Sequence, residues 1–276
     1  MAVMVVGARR LLGGIRMVGT NKSLGQHWLK NRQILDEIAD YAAEESAFKS
    51  SDNPVDVCLE IGPGLGTLTS SLLKRFKKVI AIEFDQRLAE NLPKSFPGKN
   101  LEVINGDILK YDFNQIKTPY SVAGNIPYYI TSPIIEKLLT ASNRPRRIVL
   151  LVQKEVAERI LDEKETMLSL FVNNRANALP GPIVKKEEFT PPPKVDSKVI
   201  ILEPHKPIVS EDVFSLISHG FTAPRKKLLH NLSSMRSKEV LLRIFNECKI
   251  DAGARPGDLS LEDWQNLYDY IKTSTN

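Results

Sequence analysis

Apolar positions along this chain fall into two textures. Between residues 55 and 203, short and nearly continuous apolar runs alternate with helical periodicity; beyond residue 204 helical periodicity stands alone. Short apolar runs bounded by turn signals read as strands buried on both faces. They cover residues 55–61, 79–83, 101–107, 120–123 and 148–152, with a last strand over 198–202. Ile34, Ile38 and Tyr41 mark a helix ahead of the first strand; Leu68, Leu72, Leu73 and Phe76 mark one directly after it; residues 154–160 follow the fifth. This alternation predicts an α/β fold with a mostly parallel sheet and helices on both faces. Val213, Leu216 and Ile217, then Leu241, Ile244 and Phe245, then Leu261, Trp264, Leu267 and Tyr268, predict a small all-helical unit at the end. The expected organisation is an extension over 1–20, an α/β domain over 21–203 and a helical domain over 204–276.

Composition narrows this picture. The 276 residues carry 38 Lys and Arg against 33 Asp and Glu, a net charge of +5. The excess is uneven: residues 206–256 hold nine basic and five acidic side chains, residues 257–276 one basic and four acidic. Arg225, Lys226 and Lys227 form the densest basic cluster in this region. Such a cluster is usually a solvated face, and in nucleic-acid-binding proteins it is a phosphate contact. Two cysteines, Cys58 and Cys248, make neither a disulfide framework nor a zinc site, and no metal is expected. No run of about 20 apolar residues occurs, so no spanning helix is expected. Residues 1–18 are apolar with Arg9, Arg10 and Arg16 and no acid. They read as a disordered extension or an over-long start ahead of Met17, with a targeting segment as the alternative, and are left outside the fold. The chain is expected to work in the cytoplasm, as a monomer.

The candidate chemistry gathers at strand ends, where open α/β sheets bind ligands. The first strand runs from Glu60 into Gly62, Gly64 and Gly66 and then a helix, a cradle in which backbone N–H groups can approach a ligand. A dinucleotide fingerprint would need glycine at position 67, which is Thr67. Glu83 ends the second strand, where an acid accepts hydrogen bonds from ribose hydroxyls. Asp107 ends the third and can meet an adenine amino group. Asn125-Ile126-Pro127-Tyr128 follows the fourth and resembles the (N/D)-P-P-Y motif of amino-group methyltransferases, which implies an amine such as that of adenine as the acceptor. The exocyclic amine of adenine is a poor nucleophile because its lone pair is delocalised into the ring. Two acceptors aimed at its N–H bonds, the Asn125 side-chain oxygen and the Ile126 carbonyl, would localise that lone pair, with Tyr128 stacked on the base. Phe189 opens the Pro-rich stretch 189–197, a rigid loop able to fix a ring beside a site.

These motifs carry a resemblance. E-x-G-x-G-x-G from Glu60 resembles motif I of S-adenosylmethionine methyltransferases, and Asn125–Tyr128 resembles the (N/D)-P-P-Y motif of amino-group methyltransferases. From about Leu24 to Trp264 the chain resembles the KsgA-type rRNA adenine dimethyltransferases. Its Leu24–Leu29 opening, the stretch Gln153–Ile160, the F-x-P-x-P-K-V-x-S loop from Phe189, the run Phe221–Leu232 and Arg255-Pro256-x-x-Leu259 all look like family signatures. The resemblance implies a Rossmann-like S-adenosylmethionine-dependent methyltransferase domain and a helical rRNA-binding domain. It implies that Gln26, His27, Leu29, Glu60, Gly62, Gly64, Glu83, Asp107, Ile108 and Asn125 hold the cofactor. Asn125, Ile126 and Tyr128 would hold the target amine, with Phe189 on the base's other face, and Arg225, Lys226 and Lys227 would contact RNA. The implied substrate is two adjacent adenosines in a hairpin loop near the 3′ end of small-subunit rRNA, in an immature 30S subunit.

Three positions depart from the family pattern. Tyr129 stands where Asn is usual, Pro224 replaces the first Arg of an R-R-K run, and Thr166-Met167 replaces a Tyr-Gly pair. None supplies a proposed amine acceptor. The rival readings are a macrolide-resistance type methyltransferase of large-subunit rRNA, and a ribosome-assembly or transcription factor that keeps the fold without the chemistry. A nicotinamide dehydrogenase is disfavoured by Thr67 and by Asn125–Tyr128.

Overall fold

The computed structural model describes residues 26–44, 55–162 and 165–273. The extension over 1–20, and most of the polar stretch 44–53, lie outside the described residues. A seven-stranded sheet has the order β4-β3-β2-β5-β6-β9-β7. Its strands are β2 (Val57–Ile61), β3 (Lys78–Glu83), β4 (Leu101–Asn105), β5 (Tyr120–Asn125), β6 (Ile148–Gln153), β7 (Ala176–Val184) and β9 (Ser197–Pro204). β4, β3, β2, β5 and β6 are mutually parallel; β9 lies antiparallel between β6 and β7. β2 is buried throughout and β5 up to Asn125, as their mostly apolar runs require, whereas edge strand β4 is half-exposed.

The period-2 alternation of strand side chains divides the core in two. Leu59, Ile61, Val122, Ile148 and Leu150 face one side with Ile134, Ile135 and Leu138 of α4 (Thr131–Thr140). Cys58, Val79, Ala123, Val149 and Leu151 face the other with Leu35, Ile38 and Ala42 of α1 (Arg32–Ala43). Cys58 is thus a core residue. α3 (Gln86–Ser95) packs on β3 and β4, and α5 (Lys154–Leu161) and α6 (Met167–Asn173) follow β6.

Several expectations are corrected. The helix read from Leu68 to Phe76 is a single turn, α2 (Thr69–Leu72), flanked by tighter turns; Leu68, Leu72 and Phe76 are still buried. β7 carries Pro180, Gly181 and Pro182, which hide it from pattern reading. It is a sheet edge, where proline is tolerated, and its pairing with β9 is irregular between Pro180 and Ile183. A two-stranded antiparallel ribbon, β1 (Trp28–Leu29) with β8 (Phe189–Thr190), was also not legible.

After β9 come α7 (Glu211–Gly220), α8 (Leu228–Leu232), α9 (Lys238–Glu247) and α10 (Leu261–Thr273). They share a core of Val213, Ile217, Leu228, Leu241, Phe245 and Trp264, which Leu170 of α6 joins. The Arg175 guanidinium crosses to Glu211 (2.6 Å) and stacks on Phe171 and Phe214. Buried Asn231 donates to the carbonyls of Gly220 and Ala223 and so fastens the loop that presents Arg225, Lys226 and Lys227, all exposed.

Candidate active site

The chain leaves β2 toward β3 and β4 on one side, then returns to β5 on β2's other side. That reversal opens a crevice at the carboxyl ends of β2 and β5, where open parallel sheets take ligands. A cavity of about 290 Å³ occupies it. Gln26, His27, Glu60, Gly62, Gly64, Glu83, Asp107, Ile108, Asn125, Ile126 and Tyr128 all line it.

The glycine turn is bent by necessity. Gly62, Gly64 and Gly66 have φ of +65°, +57° and +81°. A Cβ at Gly64 would lie 3.1 Å from Trp28 Nε1, so a side chain there would crowd the indole as well as strain the turn. The Gly64 N–H donates to Glu83 Oε2 (3.0 Å), and the Asp85 N–H donates to Glu83 Oε1 (2.8 Å). Glu83, 6% exposed, is therefore locked with spare lone pairs on both oxygens, and burial raises its pKa. Asp107 Oδ1 accepts from the Leu109 N–H (2.9 Å), which fixes that carboxylate at the tip of β4.

Glu60 is 1% exposed beneath the turn. Its Oε2 accepts from Thr69 Oγ1 (2.6 Å), while Oε1 is buried without a partner. Burial, then the nearby Glu83 charge, push its pKa up to about 8, with the Thr69 hydroxyl opposing. An orphaned buried carboxylate oxygen beside a cavity fits a ligand that brings a cation or a donor.

At the end of β5, the Asn125 side-chain amide donates to the His27 carbonyl (2.8 Å). That leaves Oδ1 as the acceptor open to a ligand. His27 Nδ1 is 2.8 Å from the Pro191 carbonyl, and its ring stacks with Tyr128 at 6.1 Å between centroids and 20° between planes. The Tyr128 hydroxyl is 2.7 Å from Ser197 Oγ. Two distant parts of the chain, around His27 and over 191–197, thus hold Asn125 and Tyr128 in place. Tyr129, 66% exposed, also lines the cavity.

Two expected residues stand elsewhere. Leu29 and Phe189 do not line the cavity. Each is 1% exposed, and they face one another across the β1–β8 ribbon within the core shared with α1. Phe189 is thus packed into the ribbon in this structure and does not present its ring to the cavity. Conversely, sequence reading missed Trp28 and Phe84 as lining residues. Phe84 is 63% exposed directly after Glu83, and an aromatic at a strand tip next to a candidate ligand-binding acid is a usable signal. Among the described residues no His, Cys, Asp and Glu group has the makings of a metal site. No helix among them is long and apolar enough to cross a membrane.

Comparisons agree with this architecture. The family model described as ribosomal RNA adenine dimethylase matches residues 17–273. Ribosomal RNA small subunit methyltransferase A of Dehalococcoides mccartyi (strain CBDB1) is 39% identical over 259 residues, covering 89% of this chain and 86% of that protein. The protein of the same name from Thermosynechococcus vestitus is 37% identical, covering 93% and 98%. A dimethyladenosine transferase from Plasmodium falciparum superposes with a TM-score of 0.73 at 31% identity, covering 89% of this chain and 98% of that one. The 23S rRNA methyltransferase ErmE gives 0.71 at 26%, covering 89% and 99%. With its cavity at the β2/β5 reversal and a family match spanning nearly the whole chain, this protein belongs to the ribosomal RNA adenine dimethylase family.

Proposed function

We propose that this protein dimethylates the exocyclic amines of two adjacent adenosines in the hairpin loop near the 3′ end of small-subunit rRNA, within an immature 30S subunit. The observation that carries the reading is the oriented Asn125 amide, with its N–H2 end taken by His27 and its oxygen left as acceptor. The 37% and 39% identities to small-subunit enzymes favour that substrate over the large-subunit one, since the 23S enzyme stands at 26%.

S-adenosylmethionine, when bound, supplies an electrophilic methyl group on a sulfonium. The residues present fit it. Glu83 would accept from the ribose hydroxyls, Asp107 would meet the adenine, and the orphaned Glu60 oxygen would face the cationic amino-acid end across the glycine turn. Gln26, His27 and Ile108 would complete the walls. Asn125 Oδ1 and the Ile126 carbonyl would accept from the two N–H bonds of the target amine, drawing its lone pair out of the ring, while Tyr128 stacks on the base. A hairpin loop suits this, because its bases can be splayed out and stacked on aromatics. Orientation and preorganised dipoles carry the rate, and no covalent enzyme intermediate is required. Arg225, Lys226 and Lys227 would contact RNA phosphates.

The test is Asn125→Ala in single-turnover methylation of unmethylated small subunits at saturating cofactor. Loss of one such polar partner should slow transfer by roughly 100- to 1000-fold, with subunit docking retained. A rate within a few-fold of wild type would remove Asn125 from the mechanism. Wild-type protein that docks without transferring methyl groups would replace the enzyme by an assembly factor.

A further inference from the structure

The sheet has a second concave end. Opposite the active-site cavity, the segments entering β5 and β6 and leaving β9 enclose a cleft of about 460 Å³. Lys117, Arg144, Arg146, His205 and Lys206 line it, and no acidic side chain among the described residues does. Lys117, Arg146 and Lys206 are exposed, and none is in an ion pair among the described residues. The nearby Arg147 differs in kind: it is buried and paired with Glu203 and Glu44.

The cleft is also a fixed shape. The Tyr120 hydroxyl donates to the Asn143 carbonyl (2.7 Å), and the Asn143 amide donates to the carbonyls of Phe113 (3.0 Å) and Ile116 (2.7 Å). The Arg146 N–H donates to the Tyr120 carbonyl (2.8 Å), and the Arg144 guanidinium donates to the His205 carbonyl (2.7 Å). Three separate loops are thus tied into one frame. The tied backbone keeps the bases of these like-charged side chains close together, so an anionic partner relieves their mutual repulsion.

From this unpaired cationic cleft we infer that the far end of the sheet is a second RNA-backbone site, which takes phosphates of an rRNA segment other than the target loop. The inference rests on the rRNA reading above. β5 runs from Tyr120 at this cleft to Asn125 at the active site, and five steps at about 3.3 Å each separate the two by roughly 17 Å. An RNA touching both ends must be larger than the loop that enters the cavity. The cleft therefore acts on whole subunits and not on an isolated hairpin.

The test is the full-length Lys117→Ala/Arg146→Ala/Lys206→Ala variant against wild type. Binding to unmethylated small subunits is measured across salt concentration, alongside single-turnover methylation of a short hairpin RNA. Each lost phosphate contact lowers the slope of log K against log salt by about 0.9, so three lower it by about 2.7. Between 50 and 200 mM salt, wild type should then lose roughly 40-fold more affinity than the variant, while hairpin methylation is equal. A wild-type slope in the variant overturns the inference and leaves the enzyme reading standing. An equal loss on the short hairpin also overturns it, because the three residues would then touch the target segment. Should the triple variant melt early, Lys117→Gln/Lys206→Gln decides, with an expected slope reduction of about 1.8 and an unchanged slope as the refutation. Wild-type protein whose subunit binding ignores salt would remove the rRNA reading itself.

Discussion

Replacing Glu60 with Gln should make the ligand-free protein more stable, and increasingly so as pH rises. In the fold the carboxyl has one hydrogen-bonded oxygen and one orphan, and burial holds its pKa near 8 against an ordinary 4.5. A folded pKa above the unfolded value means that the fold favours the protonated acid. Below the unfolded pKa both states carry the proton and nothing is lost. As pH rises from about 4.5 to about 8 the unfolded chain ionises while the fold keeps its proton, and stability falls by about 1.4 kcal/mol per pH unit. The ceiling is about 5 kcal/mol. Glutamine keeps an acceptor for Thr69 and carries no charge at any pH. E60Q should therefore match wild type within about 1 kcal/mol at pH 5 and exceed it by about 3–5 kcal/mol at pH 9. Urea unfolding of both proteins at matched pH reads the difference directly. A gap that does not change with pH would show that Glu60 is already ionised and solvated in the fold. A bound cation beside Oε1 would draw the proton off, so calorimetry near pH 7 in buffers of different ionisation enthalpy should show proton release when S-adenosylmethionine binds to wild type and none with E60Q.

Glu83→Ala should weaken S-adenosylmethionine by roughly 10- to 150-fold, as expected for hydrogen bonds to a charged group. It should also lower the melting temperature, because the N–H groups of Gly64 and Asp85 lose their acceptor; unchanged affinity would put the ribose elsewhere. Phe189→Ala should cost about 3–5 kcal/mol of stability by opening a core cavity, with methyl transfer near wild type at a temperature where it is folded. Intact stability with a hundredfold slower transfer would return the ring to the target base.

The parallel half of the fold was legible because its strands are buried on both faces and so carry unbroken apolar runs. The acids and Asn125 were legible for a related reason: a polar residue that ends such a run sits at the strand tip, where ligands lie. Local signals failed where the deciding interaction was distant. β7 reads as a Pro-Gly-Pro loop until β9 is placed beside it. Leu29 and Phe189 sit in signature stretches, and nothing local to either reveals that they pair with one another in a ribbon. Glu60 was visible as a motif acid, but its orphaned oxygen depends on which groups the fold brings near it. Trp28 touches the site through Gly64, 36 positions away, which no window around either residue reveals.

The hydrogen bond from Asn125 to His27 spans 98 positions, and β1 finds its strand partner only at Phe189 and Thr190. Synthesis proceeds from the amino end, so the sheet strands β2 to β6 emerge before that partner exists. The amide at position 125 can form part of a folded sheet and still have no fixed direction. Its aim is set when the ribbon closes the chain on itself, a long-range contact with a high loop-closure cost. A nascent chain halted before residue 190 would carry a recognisable cavity and an unaimed Asn125. The aim of Asn125 is in this sense a property of contacts across the whole chain and not of β5 alone.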